Sequence, residues 1–241
     1  MIEMSRVTQP PKPYEHHRDM RGGAIRAGVF GFSDGLVTNL ALILGIAGAQ
    51  ESASTIRLAG VAGLIAGALS MAAGEFVSMA AQRDLLEHEL SVERASLANH
   101  PEAERQELAL IYQARGLSQE LAERLSDEIM QRPELALEAH ARDELGIDPR
   151  SLGSPVAAAA SSLVTFAAGA VIPLLPWLLT TSTPAIVASL VLAGASAILV
   201  GGVIGSTAGR GPWRSALRQL VLGALAGGST YAIGALVGAR L

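Results

Sequence analysis

Cysteine is absent from this chain of 241 residues, so disulfides and thiolate metal sites are excluded. Charge is scarce: 17% of residues are Asp, Glu, Lys or Arg, against 50% hydrophobic, which is too apolar for an ordinary soluble domain. The five histidines (His16, His17, His88, His100 and His140) all lie outside the long apolar runs, which disfavours an intramembrane serine–histidine hydrolase. None has a glutamate three residues before it, so the Glu-x-x-His pairs of di-iron bundles are missing. No P-loop appears, which argues against direct use of ATP. No basic patch is available to neutralise phosphates, so nucleic acid is not an expected partner. The first 26 residues lack the apolar core of a cleaved signal peptide and carry Lys12, Arg18, Arg21 and Arg26; they read as a cytosolic tail.

What the chain does have is length of apolar sequence. Five runs, at about 27–49, 58–82, 156–179, 185–209 and 214–238, suffice for the roughly 20 residues that cross a bilayer. Arg57 is the sole cation in the 50–57 loop, the 180–184 loop has none, and Arg210, Arg214 and Arg218 cluster near the fifth run. With the basic tail, this places the N-terminus in the cytosol. Trp177 and Trp213 are expected at opposite membrane interfaces. Glycines at near-helical spacing (Gly201, Gly205 and Gly209; Gly223, Gly227, Gly234 and Gly238) predict closely packed helices.

The acids are concentrated. Residues 83–150 hold sixteen Asp and Glu against eight Arg, and the rest of the chain holds six acids and ten bases. This block reads as helices. The second span continues through "QRDLLEHELSVERASLA". Pro101 and Pro133 open later helices, Ser118 caps another, and Gly116 and Gly146 close two of them. Leu108, Ile111, Leu121, Leu125, Ile129, Leu135 and Leu137 are the expected core. The expected organisation is a cytosolic tail (1–26), spans one and two (27–82), an acidic cytosolic helical domain (83–150) and spans three to five (151–241). The fold class is thus an all-α membrane protein of five transmembrane helices, with a small helical metal-binding domain inserted after the second.

Chemistry-bearing residues fall in two places. Asp34 and Glu75 are the two carboxylates well inside apolar runs, and a charge there is costly enough to suggest a role. Met71, Glu75 and Met79 share one helix face, and carboxylate with thioether suits a divalent transition metal such as Fe²⁺. In the acidic block, Glu89 with Glu93, Glu104 with Glu107, and His140 with Glu144 each share a helix face. Three such faces meeting would build an oxygen-rich site with one imidazole. The alternative is a solvated acidic surface.

These residues carry a resemblance. "GVFGFSDGLVTNLALILGIAGA", "GALSMAAGEFVSMAAQRD", an acidic insert ending "ARDELGIDP", and "SPVAAAASSLVTFAAGAVIPLLPWLL" resemble the vacuolar iron transporter family from about residue 22 to the end. The resemblance implies a homodimer with five spans per protomer, moving Fe²⁺, and often Mn²⁺, out of the cytosol in exchange for protons. The metal path would lie between protomers. It implies transport-site roles for Asp34 and Met71, and metal-gathering roles for Glu93, Glu104, Glu107 and Glu144. The chain departs from the family pattern at three places. Gly63 stands where a second membrane glutamate is expected, with Glu75 the candidate replacement. Ser96 replaces another glutamate. His140 and Ala141 replace paired methionines, which makes His140 a candidate ligand. The expected function is therefore a metal exporter without enzymatic activity or resident cofactor, whose partners are divalent metal ions, protons and lipid. The short loops suit a bacterial inner membrane. The competing expectation is a membrane-anchored metal sensor or buffer that transports nothing.

Overall fold

The computed structural model describes residues 23–207, 209 and 211–240, so most of the expected N-terminal tail lies outside the described residues. Eight helices follow in order: α1 (Gly23–Gly48), α2 (Ala53–Asn99), α3 (Pro101–Ala114), α4 (Gln119–Met130), α5 (Pro133–Asp143), α6 (Pro155–Leu179), α7 (Ser182–Thr207) and α8 (Pro212–Gly238). Helices α1, α2, α6, α7 and α8 are each long and apolar enough to cross a membrane. They account for the five apolar runs, and the first turns obey simple chemistry. Ser52, Ser118 and Ser154 accept the backbone N–H groups of Thr55, Leu121 and Ala157, satisfying donors that an opening helix leaves free. Prolines open α3, α5, α6 and α8, where a missing N–H costs nothing.

Helix α1 is the hub of the membrane part. It meets α6 so closely that a Cβ on Gly35 would lie 2.1 Å from the Phe166 carbonyl oxygen, and one on Gly169 2.2 Å from that of Phe32. Only glycine permits that approach, so the small residues here do pack helices. Side chains then stitch the interfaces. Asn39 Nδ2 donates to the Ala170 carbonyl at 2.7 Å, Ser161 to Ala24 at 2.8 Å, and Thr230 of α8 to Ala41 at 2.7 Å. Each such bond satisfies a polar group where lipid offers none.

Trp177, near the end of α6, is buried with Ile43, Ile56, Leu174 and Ala185. Arg57 donates to its carbonyl at 2.7 Å, which anchors the start of α2 to the end of α6. Trp213 is exposed. The outer faces of α2 and α8 present Leu58, Ile65, Leu69, Leu225, Ile233 and Leu236 to the surroundings. Such continuous apolar exposure is stable in hydrocarbon and not in water, so the chain is an integral membrane protein.

Helices α3, α4 and α5 lie in sequence between the second and third candidate spans. Their core is Leu108, Ala109, Tyr112, Ala122, Ile129 and Ala136. Of the expected core leucines outside it, Leu137 is still buried, but Leu121, Leu125 and Leu135 are 55%, 37% and 38% exposed. On α4 the inward face runs through Ala122, Ser126 and Ile129. Leu121 and Leu125 each sit one residue before that row, about 100° around the helix.

Candidate metal centre

The site begins with the length of α2. This helix of 47 residues leaves the apolar region and continues without a break, and its far end buries Leu90 and Glu93. Helix α3 brings Glu104 in from its first turn. Helix α5 contributes His140, which is fully buried, and ends so that Glu144 is its C-terminal cap. The turn beyond is set by backbone bonds from Leu145 to His140 and from Ile147 to Ala141 at 2.7 Å, with Gly146 left-handed at φ 68°.

Four ligand atoms, one each from Glu93, Glu104, His140 and Glu144, lie within 4.8 Å of one another. His140 Nδ1 is the common point, 3.3 Å from Glu93, 3.7 Å from Glu104 and 3.2 Å from Glu144. Two buried atoms in this group, Glu93 Oε1 and His140 Nε2, have no hydrogen-bond partner. The three expected faces thus meet, each through one of its paired residues except that α5 supplies both. Among the described residues no arginine pairs with Glu93, Glu104 or Glu144. Five arginines of this region, Arg83, Arg105, Arg115, Arg142 and Arg150, go instead to Glu87, Glu102, Asp127, Glu138, Asp143 and Asp148.

Electrostatics follow from that crowding. Burial pushes the Glu93 carboxyl above the ordinary range; Glu144, Glu104 and Glu107 add to the shift and His140 opposes it. Glu104 is raised for the same leading reason, with His140 again opposing. Three carboxylates around one imidazole leave a deficit of positive charge that a divalent cation would remove. Carboxylate oxygen with imidazole nitrogen is a donor set that Fe²⁺, Mn²⁺ and Zn²⁺ accept.

A brace outside the cluster holds α5 against α3. The Tyr112 hydroxyl donates to Asp143 at 3.1 Å, and Arg115 pairs with the Asp143 carboxylate and donates to its backbone carbonyl. Burial, then this hydrogen bond, pushes the Tyr112 hydroxyl up to about 12. Tyr112, Arg115 and Asp143 were not among the sequence candidates. Their only signal is spacing on separate helices, which has no meaning until the helices pack.

The other sequence candidates lie elsewhere. Glu107 is exposed and outside the four, although its charge still acts on Glu93 and Glu104. Asp34 accepts a hydrogen bond from Thr38 at 3.1 Å and belongs to no ligand cluster among the described residues. Met71 packs on Ala68, Phe166 and Ala170. Met79 is buried with Ala27 and Ala158, apart from that cluster, so it reads as packing between α1 and α6. Glu75 meets Arg26 of α1 at 3.4 Å. From sequence Arg26 belongs to the basic tail. A carboxylate within an apolar run, in want of a cation, is the sequence signal that points to it.

A vacuolar iron transporter of Acanthamoeba castellanii is 40% identical over 163 residues, covering 67% of this chain and 59% of that protein. Vacuolar iron transporter 1 of Arabidopsis thaliana is 29% identical over 227 residues, covering 92% of this chain and 91% of its own. Vacuolar iron transporter 1 of Oryza sativa subsp. japonica is 27% identical over 231 residues, covering 94% and 92%. The sequence pattern of the VIT family matches residues 25–235, nearly the whole described chain, and the protein belongs to that family.

Proposed function

We propose that this chain is a membrane transporter that exports Fe²⁺, Mn²⁺ or both from the cytosol in exchange for protons. It is a transporter and not an enzyme, in keeping with its family and with relatives named as iron transporters. The observation that carries the reading is the cluster of Glu93, Glu104, His140 and Glu144, whose Glu93 stands on a helix continuous with a candidate membrane span. In this reading the cluster faces the cytosol and collects the ion, with Glu107 enriching cations nearby. The ion then passes to Asp34, Met71 and Glu75. Proton binding to the membrane carboxylates from the far side releases it. Two copies of the chain pair so that their Asp34 and Met71 residues face one path. The short loops favour a bacterial inner membrane.

A second reading has one observation behind it. The four ligand atoms of the α2–α3–α5 cluster come from one chain, whereas among the described residues Asp34 has only Thr38. A metal sensor or buffer would need no more than the former. Purified protein in liposomes, with a metal dye and a pH dye inside, separates the two. Wild type is expected to move metal with opposite proton flow, and Asp34→Ala to move none. Replacing Glu93, Glu104, Glu107 and Glu144 together by alanine is expected to raise the metal concentration needed for transport at least tenfold. Metal binding without movement in wild type supports the sensor or buffer instead.

A further inference from the structure

Glu75 and Arg26 form an ion pair that the transport scheme above does not use. The Glu75 side chain is 11% exposed within the apolar part of α2, while Arg26 at the start of α1 is 67% exposed. Among the described residues Arg26 is the sole cationic partner of Glu75, through a single Nη2–Oε2 approach of 3.4 Å. That contact is longer and less constrained than a bidentate arginine–carboxylate fork. The pair also bridges the two helices that carry the membrane candidates. Arg26 lies eight residues before Asp34 on α1, and Glu75 one turn after Met71 on α2.

We propose that Arg26 is a tethered counter-ion that occupies Glu75 until the incoming divalent cation displaces it, and so sets the affinity of the membrane site for metal. The proposal rests on the transporter reading for its substrate. Physical magnitudes favour displacement. A carboxylate in an apolar span needs a positive partner. A doubly charged ion about 2.1 Å from the oxygen attracts it roughly three times as strongly as a single charge at 3.4 Å in the same medium, before its own dehydration is counted. The displaced guanidinium has somewhere to go, because its long stem can lie on apolar surface while its head reaches water. Arg57 shows the contrast: it is bound at 2.7 Å to the Trp177 carbonyl and reads as a fixed anchor. Among the described residues the ligand carboxylates of the α2–α3–α5 cluster have no arginine partner, so an ion meets no such competitor there.

The test is Mn²⁺ transport by the full chain in liposomes, read as KM and kcat for Arg26→Gln, Arg26→Lys and Glu75→Gln. Loss of a competitor predicts that Arg26→Gln lowers KM about tenfold. Arg26→Lys should keep KM within about threefold of wild type. Glu75→Gln should move KM the opposite way, upward at least tenfold. A structural clasp predicts something else, a fall in kcat of similar size in Arg26→Gln and Glu75→Gln with KM unchanged, and that result overturns the proposal. Arg26→Met, which keeps the apolar stem, replaces Arg26→Gln if the latter does not fold. Direct Mn²⁺ titration is run in a background with Glu93, Glu104, Glu107 and Glu144 replaced by alanine, so that binding reports the membrane residues. There, tighter binding on loss of Arg26 supports displacement even if wild type moves no metal. In that event the transporter reading falls separately. Unchanged or weaker binding overturns the proposal.

Discussion

Glu93, Glu104 and Glu144 all approach Nδ1 of His140, a nitrogen that holds at most one proton. At least two of the three carboxylates therefore lack a donor there, and water, proton uptake or a metal ion relieves them. The raised Glu93 and Glu104 carboxyls fix the sign of the pH dependence. Without metal, the fold binds protons at these groups to higher pH than the unfolded chain does. Stability from this source is therefore fully present below the ordinary value of 4.5 and is lost as pH rises through the raised folded values. Metal binding runs the other way, because the ion must displace those protons. Mn²⁺ affinity is expected to drop about tenfold per pH unit for each proton displaced, once pH falls below the raised values. Titrating Mn²⁺ at several pH values while recording proton release checks this. Glu93→Gln should weaken binding and flatten the profile, and an unchanged slope in that variant would remove Glu93 from the coupled set.

At the scale of the element, α2 is the part that joins the two candidate sites. Glu75 and Glu93 are eighteen residues apart, which is five whole turns and about 27 Å. They thus lie on one face of an unbroken helix. One alanine inserted at the exposed stretch near Leu85 would rotate everything beyond it by about 100°. The cluster should survive, since α3 and α5 pack on the far end of α2 and turn with it. Its register with Glu75 should not. Mn²⁺ binding within threefold of wild type with transport slowed at least tenfold is the expected result, and transport unaffected by the insertion would mean that the two sites exchange ions through solvent. The helix itself was legible in the sequence, because "QRDLLEHELSVERASLA" has no breaker between Gly74 and Pro101. The rotation of α2 against α3 and α5 was not, since helical spacing gives pairs on each helix and says nothing of which pairs meet. That is why Glu104 and Glu107 were equal candidates and only Glu104 reached His140. For the same reason Leu121 looked like core although Ala122 is the buried neighbour.

At the scale of the whole molecule, burial is uneven. Helices α1 and α6 are well covered, and α2 and α8 are open along most of their apolar length. Asp34 and Thr38 share one face of α1, with Thr38 exposed and Asp34 only partly covered. A single chain thus offers an ion in the membrane too few ligands on this face. A two-fold partner would supply a second set by the same contact, since in such a dimer each residue meets its counterpart patch. The lack of native cysteine makes this directly readable. A single cysteine at Thr38 should form an intermolecular disulfide on oxidation in membranes, because residues near the axis approach their own copies. A single cysteine at Leu225, exposed on α8, should stay monomeric if α8 faces lipid. Cross-linking at Leu225 with none at Thr38 would move the paired surface to α8 and leave Asp34 facing lipid. A bare carboxylate is least tolerable there, so Asp34 would then need a partner from elsewhere.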